Sequence, residues 1–131
     1  MSDQPVGAKP WPDSAPEVDA FATAIIERVA DRWTLLVLEL LAEHGELRFS
    51  RIGRLAEGIS QKMLTQTLRQ MERDGFVRRT VHPVVPPRVD YRLTDLGESL
   101  GVALCGLWEW AAANHARVAA ARAEFDGRLR D

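Results

Sequence analysis

Polar side chains recur at the spacing of one helical face between positions 62 and 73. The outer face of this predicted helix carries Lys62, Thr65, Gln66, Arg69 and Arg73, and the inner face carries Leu64, Leu68 and Met71. Lysine and arginine bond guanine, glutamine bonds adenine, and threonine offers its methyl group to thymine. Ser60 and Gln61 add polar groups at the helix N-terminus, which favours a phosphate. Taken alone, such a face is more typical of a solvated surface helix.

A second basic group lies on a predicted β-hairpin. Its strands are 76–82 and 88–93, and the sequence PVVPP between them excludes helix and makes a stiff tip. The hairpin carries Arg78, Arg79, His82 and Arg88. Arginine on such a projection can enter a narrow minor groove. Strand-edge charge that only discourages aggregation explains the hairpin equally well.

Other chemistry is poorly represented. His44, His82 and His115 do not combine with Cys105 at the spacing of a metal site. The sequence has no phosphate-binding GxxxxGK[ST] motif and no GxSxG nucleophile motif. We therefore predict no enzymatic activity, no metal and no cofactor.

The elements around these residues follow a recognisable order. We predict helices over 18–30, 31–44, 49–56 and 61–74, an extended piece at 46–48, the hairpin, and a last helix from the Thr94 cap to about Phe125. The predicted fold is mainly α with a small β-hairpin, a winged helix-turn-helix. Residues 1–16 hold four of the seven prolines and are predicted to form a flexible arm. Residues 17–131 form the domain.

Charge is distributed unevenly along the chain. Residues 47–92 contain ten basic and four acidic residues, a net charge of +6, whereas the whole chain carries −2. A basic face on an acidic body follows, which suits nucleic acid without proving that it binds. We find neither a signal peptide nor an apolar run approaching the ~20 residues that cross a bilayer. We expect a cytoplasmic protein that contacts no membrane.

The last helix carries an apolar stripe that is too long for its own domain. The stripe consists of Leu100, Leu104, Leu107, Trp108 and Ala111. A helix of about 45 Å exceeds what the remaining residues can cover, so part of it is expected to pack on another chain. We place Trp108 in that contact and Trp110 partly in water, in preference to a small-molecule pocket between the helices. Cys105 is interpreted as a buried structural thiol in preference to a redox switch.

The stretch from Asp31 to Leu96 resembles the HxlR family of bacterial and archaeal winged-helix regulators. The similarity rests on the segments DRWTLLVLELL, LRFSRI, GISQKMLTQTLRQMERDGFVRR and VPPRVDYRLTDLG. The resemblance implies a homodimeric regulator of transcription that binds double-stranded DNA through a recognition helix at 60–74 and a wing around 82–89. It also implies dimer contacts through the first and last helices. The expected dimer interface therefore consists of Phe21, Ile25 and the stripe on the last helix.

These expectations assign the site. Ser60, Gln61, Lys62, Thr65, Gln66 and Arg69 would address bases or nearby phosphates, and the wing and backbone contacts would come from Arg51, Arg79, His82 and Arg88. We expect a repressor on a pseudo-palindromic operator; a winged-helix module that binds protein and not DNA is the alternative. Ala20 stands where many relatives carry a sensing cysteine, so we expect no thiol-based sensing at this position. A small-molecule effector of unknown identity is the other candidate signal.

Overall fold

The computed structural model describes residues 13–130, which form five helices and three strands. In chain order they are α1 (Pro16–Val29), α2 (Arg32–His44), β1 (Glu46–Arg48), α3 (Phe49–Leu55), α4 (Gln61–Arg73), β2 (Val77–His82), β3 (Arg88–Leu93) and α5 (Asp95–Arg130). The predicted fold class, mainly α with a small sheet in winged-helix order, is confirmed. Most of the predicted flexible arm, residues 1–12, lies outside the described residues. Pro16 begins α1, where a missing N–H is tolerated.

Polar caps and glycines fix the ends of the central helices. The Asp31 carboxylate accepts the backbone N–H of Trp33 at 2.9 Å, and Ser60 Oγ accepts that of Met63 at 3.0 Å. After α4, Gly75 has φ of 83°. The N–H groups of Gly75 and Phe76 then return to the carbonyls of Glu72 and Met71, which closes a Schellman motif. The predicted start and stop of the polar helix are thus confirmed.

The core lies between α2, α3, α4 and the sheet. Its fully buried members include Val37 and Leu41 of α2, Ile52 of α3, and the inner face of α4: Leu64, Leu68 and Met71. α2 is apolar on most sides because it is surrounded on most sides. Burial of one face of α4 leaves its other face toward solvent.

The sheet has one strand more than the predicted hairpin. β1 pairs antiparallel with β3, and β3 pairs antiparallel with β2, in the order β1-β3-β2. Leu47 and Val77 thus stand beside Tyr91 and Leu93, and all four are buried. Side chains on successive residues point to opposite faces of a sheet.

Three segments meet at Thr94, where the wing ends and α5 begins. The Thr94 N–H donates to the carbonyl of Phe76 at 3.0 Å, and the Thr94 hydroxyl donates to the carbonyl of Gly75. Thr94 Oγ1 also accepts the N–H of Gly97 at 3.1 Å. This Thr94 joint links the C-terminal end of α4, the last strand of the wing and the first turn of α5.

The long helix α5 runs five residues past the predicted end at Phe125. At 36 residues it is about 54 Å long. Only Gly97 is buried along it, whereas Leu107 and Trp108 are about half exposed. Cys105 is exposed too, so the interpretation of a buried thiol is wrong for the single chain. The reason is that α5 leaves the core near Leu104, and the residues beyond it contact little of their own chain.

Candidate nucleic-acid interface

The outer face of α4 is presented to solvent as predicted. All six residues assigned to it are exposed: Ser60, Gln61, Lys62, Thr65, Gln66 and Arg69. Ser60 Oγ is already the N-cap acceptor, but the hydroxyl proton remains available to donate to a phosphate. The Thr65 hydroxyl donates to the Gln61 carbonyl at 2.9 Å. The face therefore combines two cationic groups, two amides and a methyl group on a rigid, capped helix.

The C-terminal half of this face borders a shallow groove. Gln66, Arg69 and Arg73 line it from α4, and Arg28 and Asp31 line it from the junction of α1 and α2. Arg28 Nε donates to Asp74 Oδ2 at 2.9 Å, and the Gln70 amide lies 3.4 Å from Asp74 Oδ1. Asp74 is the C-cap of α4, where a carboxylate opposes the helix dipole, so Arg28 offsets that unfavourable charge. No local sequence pattern indicates this link between α1 and α4.

The basic residues assigned to the wing and backbone are split between surfaces. Arg51 is exposed on α3 and Arg79 is exposed on β2. In the register of β2 and β3, Arg79 stands opposite Tyr91, whereas His82 stands opposite Arg88. Because 79 and 82 differ by an odd number, their side chains lie on opposite faces of the wing. The structure therefore does not bring the four residues into one cluster.

Asp90 lies on the same face of β3 as Arg88, but it is buried there although it is charged. Its side chain is only 7% exposed. His82 Nε2 lies 2.9 Å from Asp90 Oδ2, and Arg88 Nε lies 3.4 Å from the same oxygen. The two larger side chains, one from each strand, screen the carboxylate from water. A usable signal existed in the sequence, because Asp90 is the one acidic residue between Gly75 and Thr94.

The residues assigned to a dimer interface form a partly uncovered surface. Leu100, Leu104 and Ile25 pack against the core of their own chain. Phe21, Leu107, Trp108 and Ala111 are exposed. Between α2 and α5 lies an open cavity of about 780 Å³. Leu38, Leu104, Cys105 and Trp108 contribute to its wall, but Trp110 does not.

In residues 13–130, no helix is long and apolar enough to span a bilayer. The same residues contain no group of three or more His, Cys, Asp or Glu side chains placed to hold a metal ion.

Comparison with known proteins identifies the family. The family model of HxlR-like helix-turn-helix proteins matches residues 28–119. The chain belongs to this family. It is 43% identical over 100 residues to the HTH-type transcriptional regulator YtfH of Escherichia coli, an alignment that covers 76% of this chain and 79% of that one. The helices α3 and α4 and the hairpin thus belong to a winged helix-turn-helix fold that this chain shares with transcriptional regulators.

Solved structures agree with this assignment. YtfH from Salmonella typhimurium is 40% identical, with a TM-score of 0.65 over 77% of this chain and 89% of that chain. The reduced form of the transcriptional regulator YodB from B. subtilis is 30% identical, with a TM-score of 0.64 over 76% and 92% of the two chains. YodB has also been solved after diamide treatment. In the present chain the position where the resemblance places a cysteine is Ala20, and Cys105 lies far along the sequence on α5.

Proposed function

We propose that this HxlR-like regulator represses transcription as a homodimer that binds a pseudo-palindromic DNA operator. The observation that carries the proposal is the α4 face. A capped helix with a fully buried apolar side presents Gln61, Lys62, Thr65, Gln66 and Arg69 to solvent. Such a helix fits the major groove, where these side chains match the donor and acceptor pattern of base edges.

The remaining basic residues support backbone and minor-groove contacts. Arg51 on α3 and Arg79 on β2 are exposed and suit phosphates, which carry most of the affinity and make it depend on salt. Arg88 follows Pro86 and Pro87 at the wing tip and suits the minor groove. Affinity is therefore expected to fall steeply with salt.

Dimerisation is supported by the surface of α1 and α5. Phe21 is 64% exposed, Leu107 56% and Trp108 46%, which is unfavourable for apolar side chains of this size in water. A second copy that covers them would place two recognition helices in successive major grooves, about 34–36 Å apart. With no further domain in residues 13–130, occlusion of a promoter is the simplest mode of action, and repression is proposed on that ground.

The test begins with duplexes selected from a random-sequence pool by the full-length protein. Gel shifts then compare the selected duplex with a scrambled one for Arg69→Ala and for Arg130→Ala, which removes the same charge at the far end of α5. We expect Arg69→Ala to lower the ratio of specific to nonspecific affinity about tenfold and Arg130→Ala to leave it unchanged. Equal losses on both duplexes would make Arg69 a phosphate contact. If the pool yields no preferred sequence, the alternative of a protein-binding winged-helix module is favoured.

A further inference from the structure

We propose that Asp90 is a positioning residue for DNA recognition: its buried carboxylate holds Arg88 in the orientation that reads the minor groove beside the operator. The inference rests on the proposed DNA binding and adds to it a determinant of preference for A·T pairs. Asp90 itself would touch no DNA.

The register of the wing brings the three groups together. His82 and Arg88 are directly opposed across β2 and β3. Asp90 is two residues after Arg88 on the same strand and so lies on the same face. Asp90 Oδ2 is 2.9 Å from His82 Nε2 and 3.4 Å from Arg88 Nε. Oδ2 is thus hydrogen-bonded to His82 and forms an ion pair with Arg88, whose Nε has no hydrogen-bond partner among residues 13–130.

The burial of the Asp90 carboxylate points to a role other than stabilising the fold. A carboxylate is expensive to remove from water unless it is paired, and pairing rarely makes it more stabilising than an apolar residue of similar size. Here the Asp90 side chain is 7% exposed. Oδ2 makes its contacts with His82 and Arg88, whereas Oδ1 is buried without a hydrogen-bond partner among residues 13–130. A contribution to stability therefore does not explain an aspartate at this position, whereas a role in orienting Arg88 explains it.

The state of Arg88 fits that role. Its Nε is buried while the side chain as a whole is 38% exposed. Nε faces Asp90 at ion-pair distance without a hydrogen bond, so attraction between the two charges holds it there, and the four N–H donors on the outer nitrogens remain for DNA. The residue begins β3 directly after two prolines, which restricts the backbone as well. Because both the backbone and the guanidinium of Arg88 are restrained, the side chain loses less conformational entropy when it enters a narrow groove.

The minor groove offers a direct test of this placement. Inosine·cytosine and guanine·cytosine pairs are alike in the major groove, but only guanine places an amino group in the minor groove. The probes are the selected duplex with either I·C or G·C pairs at the flanks that face the wing. We expect the native protein to prefer the I·C flanks about tenfold, the usual loss for one specific contact. Arg88→Ala and Asp90→Asn should reduce that ratio to near one.

Three further variants separate positioning from folding. Asp90→Glu keeps the charge and should retain most of the preference. Arg88→Lys keeps the positive charge that pairs with Asp90 but lacks the planar guanidinium, so it should lose the preference while leaving the buried carboxylate paired. Arg69→Ala should bind more weakly yet keep the I·C preference. In the double variant Arg88→Ala with Asp90→Asn, the loss should equal that of Arg88→Ala alone.

The outcomes are distinguishable. If the native protein selects a sequence but Asp90→Asn or Arg88→Lys keeps the I·C preference, the positioning role is overturned and the proposed function stands. The absence of any flank preference in the native protein also overturns it. If no sequence is selected at all, the proposed function itself fails. Thermal unfolding of each variant identifies a loss that comes only from misfolding.

Discussion

Replacing Gly97 by alanine tests the Thr94 joint. A Cβ at this position would lie 2.2 Å from the carbonyl oxygen of Phe76 and 3.1 Å from its carbonyl carbon. Real Cβ atoms essentially never come closer than 3.0 Å to another heavy atom, so the backbone must move by roughly 1 Å. Backbone shifts of this kind in packed regions cost about 1–3 kcal/mol. The Phe76 carbonyl also accepts the Thr94 N–H, and a shift would weaken that hydrogen bond.

Gly101 provides a matched control on the same helix. Nothing lies within 4 Å of the Cβ that alanine would add there. Alanine is more favourable than glycine in a helix interior by about 1 kcal/mol, so Gly101→Ala should be stabilising. For a chain of this size, a change of 1 kcal/mol moves the Tm by about 4 °C. We therefore expect a Tm lowered by about 8 °C for Gly97→Ala and raised by about 4 °C for Gly101→Ala.

The measurement is thermal unfolding of both variants at one protein concentration, because dimer formation makes the Tm depend on concentration. A gel shift on the selected duplex follows for each folded variant. Gly97→Ala should also weaken DNA binding, since α5 would sit differently on the end of α4. If the two alanine variants raised the Tm equally, the close approach of α5 to Phe76 would be refuted, and with it the geometry of the Thr94 joint.

Substitutions at three other positions have definite expectations. Ser60→Ala should lower the free energy of unfolding by about 1 kcal/mol through loss of the N-cap, whereas Ser60→Asp should keep the cap and still weaken DNA binding by repelling phosphates. Arg28→Ala should destabilise the fold by about 1 kcal/mol, and much less in an Asp74→Asn background, because the partly buried ion pair and the opposed helix dipole are both involved. Leu68→Ala, at a fully buried position, should cost about 2–5 kcal/mol in denaturant unfolding; a loss below 1 kcal/mol would contradict the placement of α4.

The polar helix α4 could be predicted almost completely from the sequence. Ser60 and Gly75 mark its two ends by their own backbone and side-chain chemistry, and the apolar spacing decides which face is buried. These signals are local, so tertiary context had nothing to override. The same holds for the span of α2 and for the strands of the wing.

Features that depend on distant neighbours were missed. The extended piece at 46–48 was predicted, but its pairing with β3 about forty positions later was not, because no local pattern reveals it. The burial of Asp90 depends on His82 from another strand. The end of α5 was placed too early because Asp126 and Gly127 resemble a stop, yet one glycine costs only about 1 kcal/mol in a helix. Cys105 is exposed because α5 leaves the core near Leu104, and the composition of the helix does not indicate where that happens.

The length of α5 has a mechanical consequence. A rod of about 54 Å pivoting at its first turn moves its far end by about 5 Å for a rotation of only 5°. In the proposed dimer, joined along these helices, small angular changes at the hydrogen bonds of Thr94 would become large changes in the distance between the two α4 helices. DNA binding would then be lost without any rearrangement within the winged-helix domains, because the distance between the α4 helices would no longer match the helical repeat of DNA.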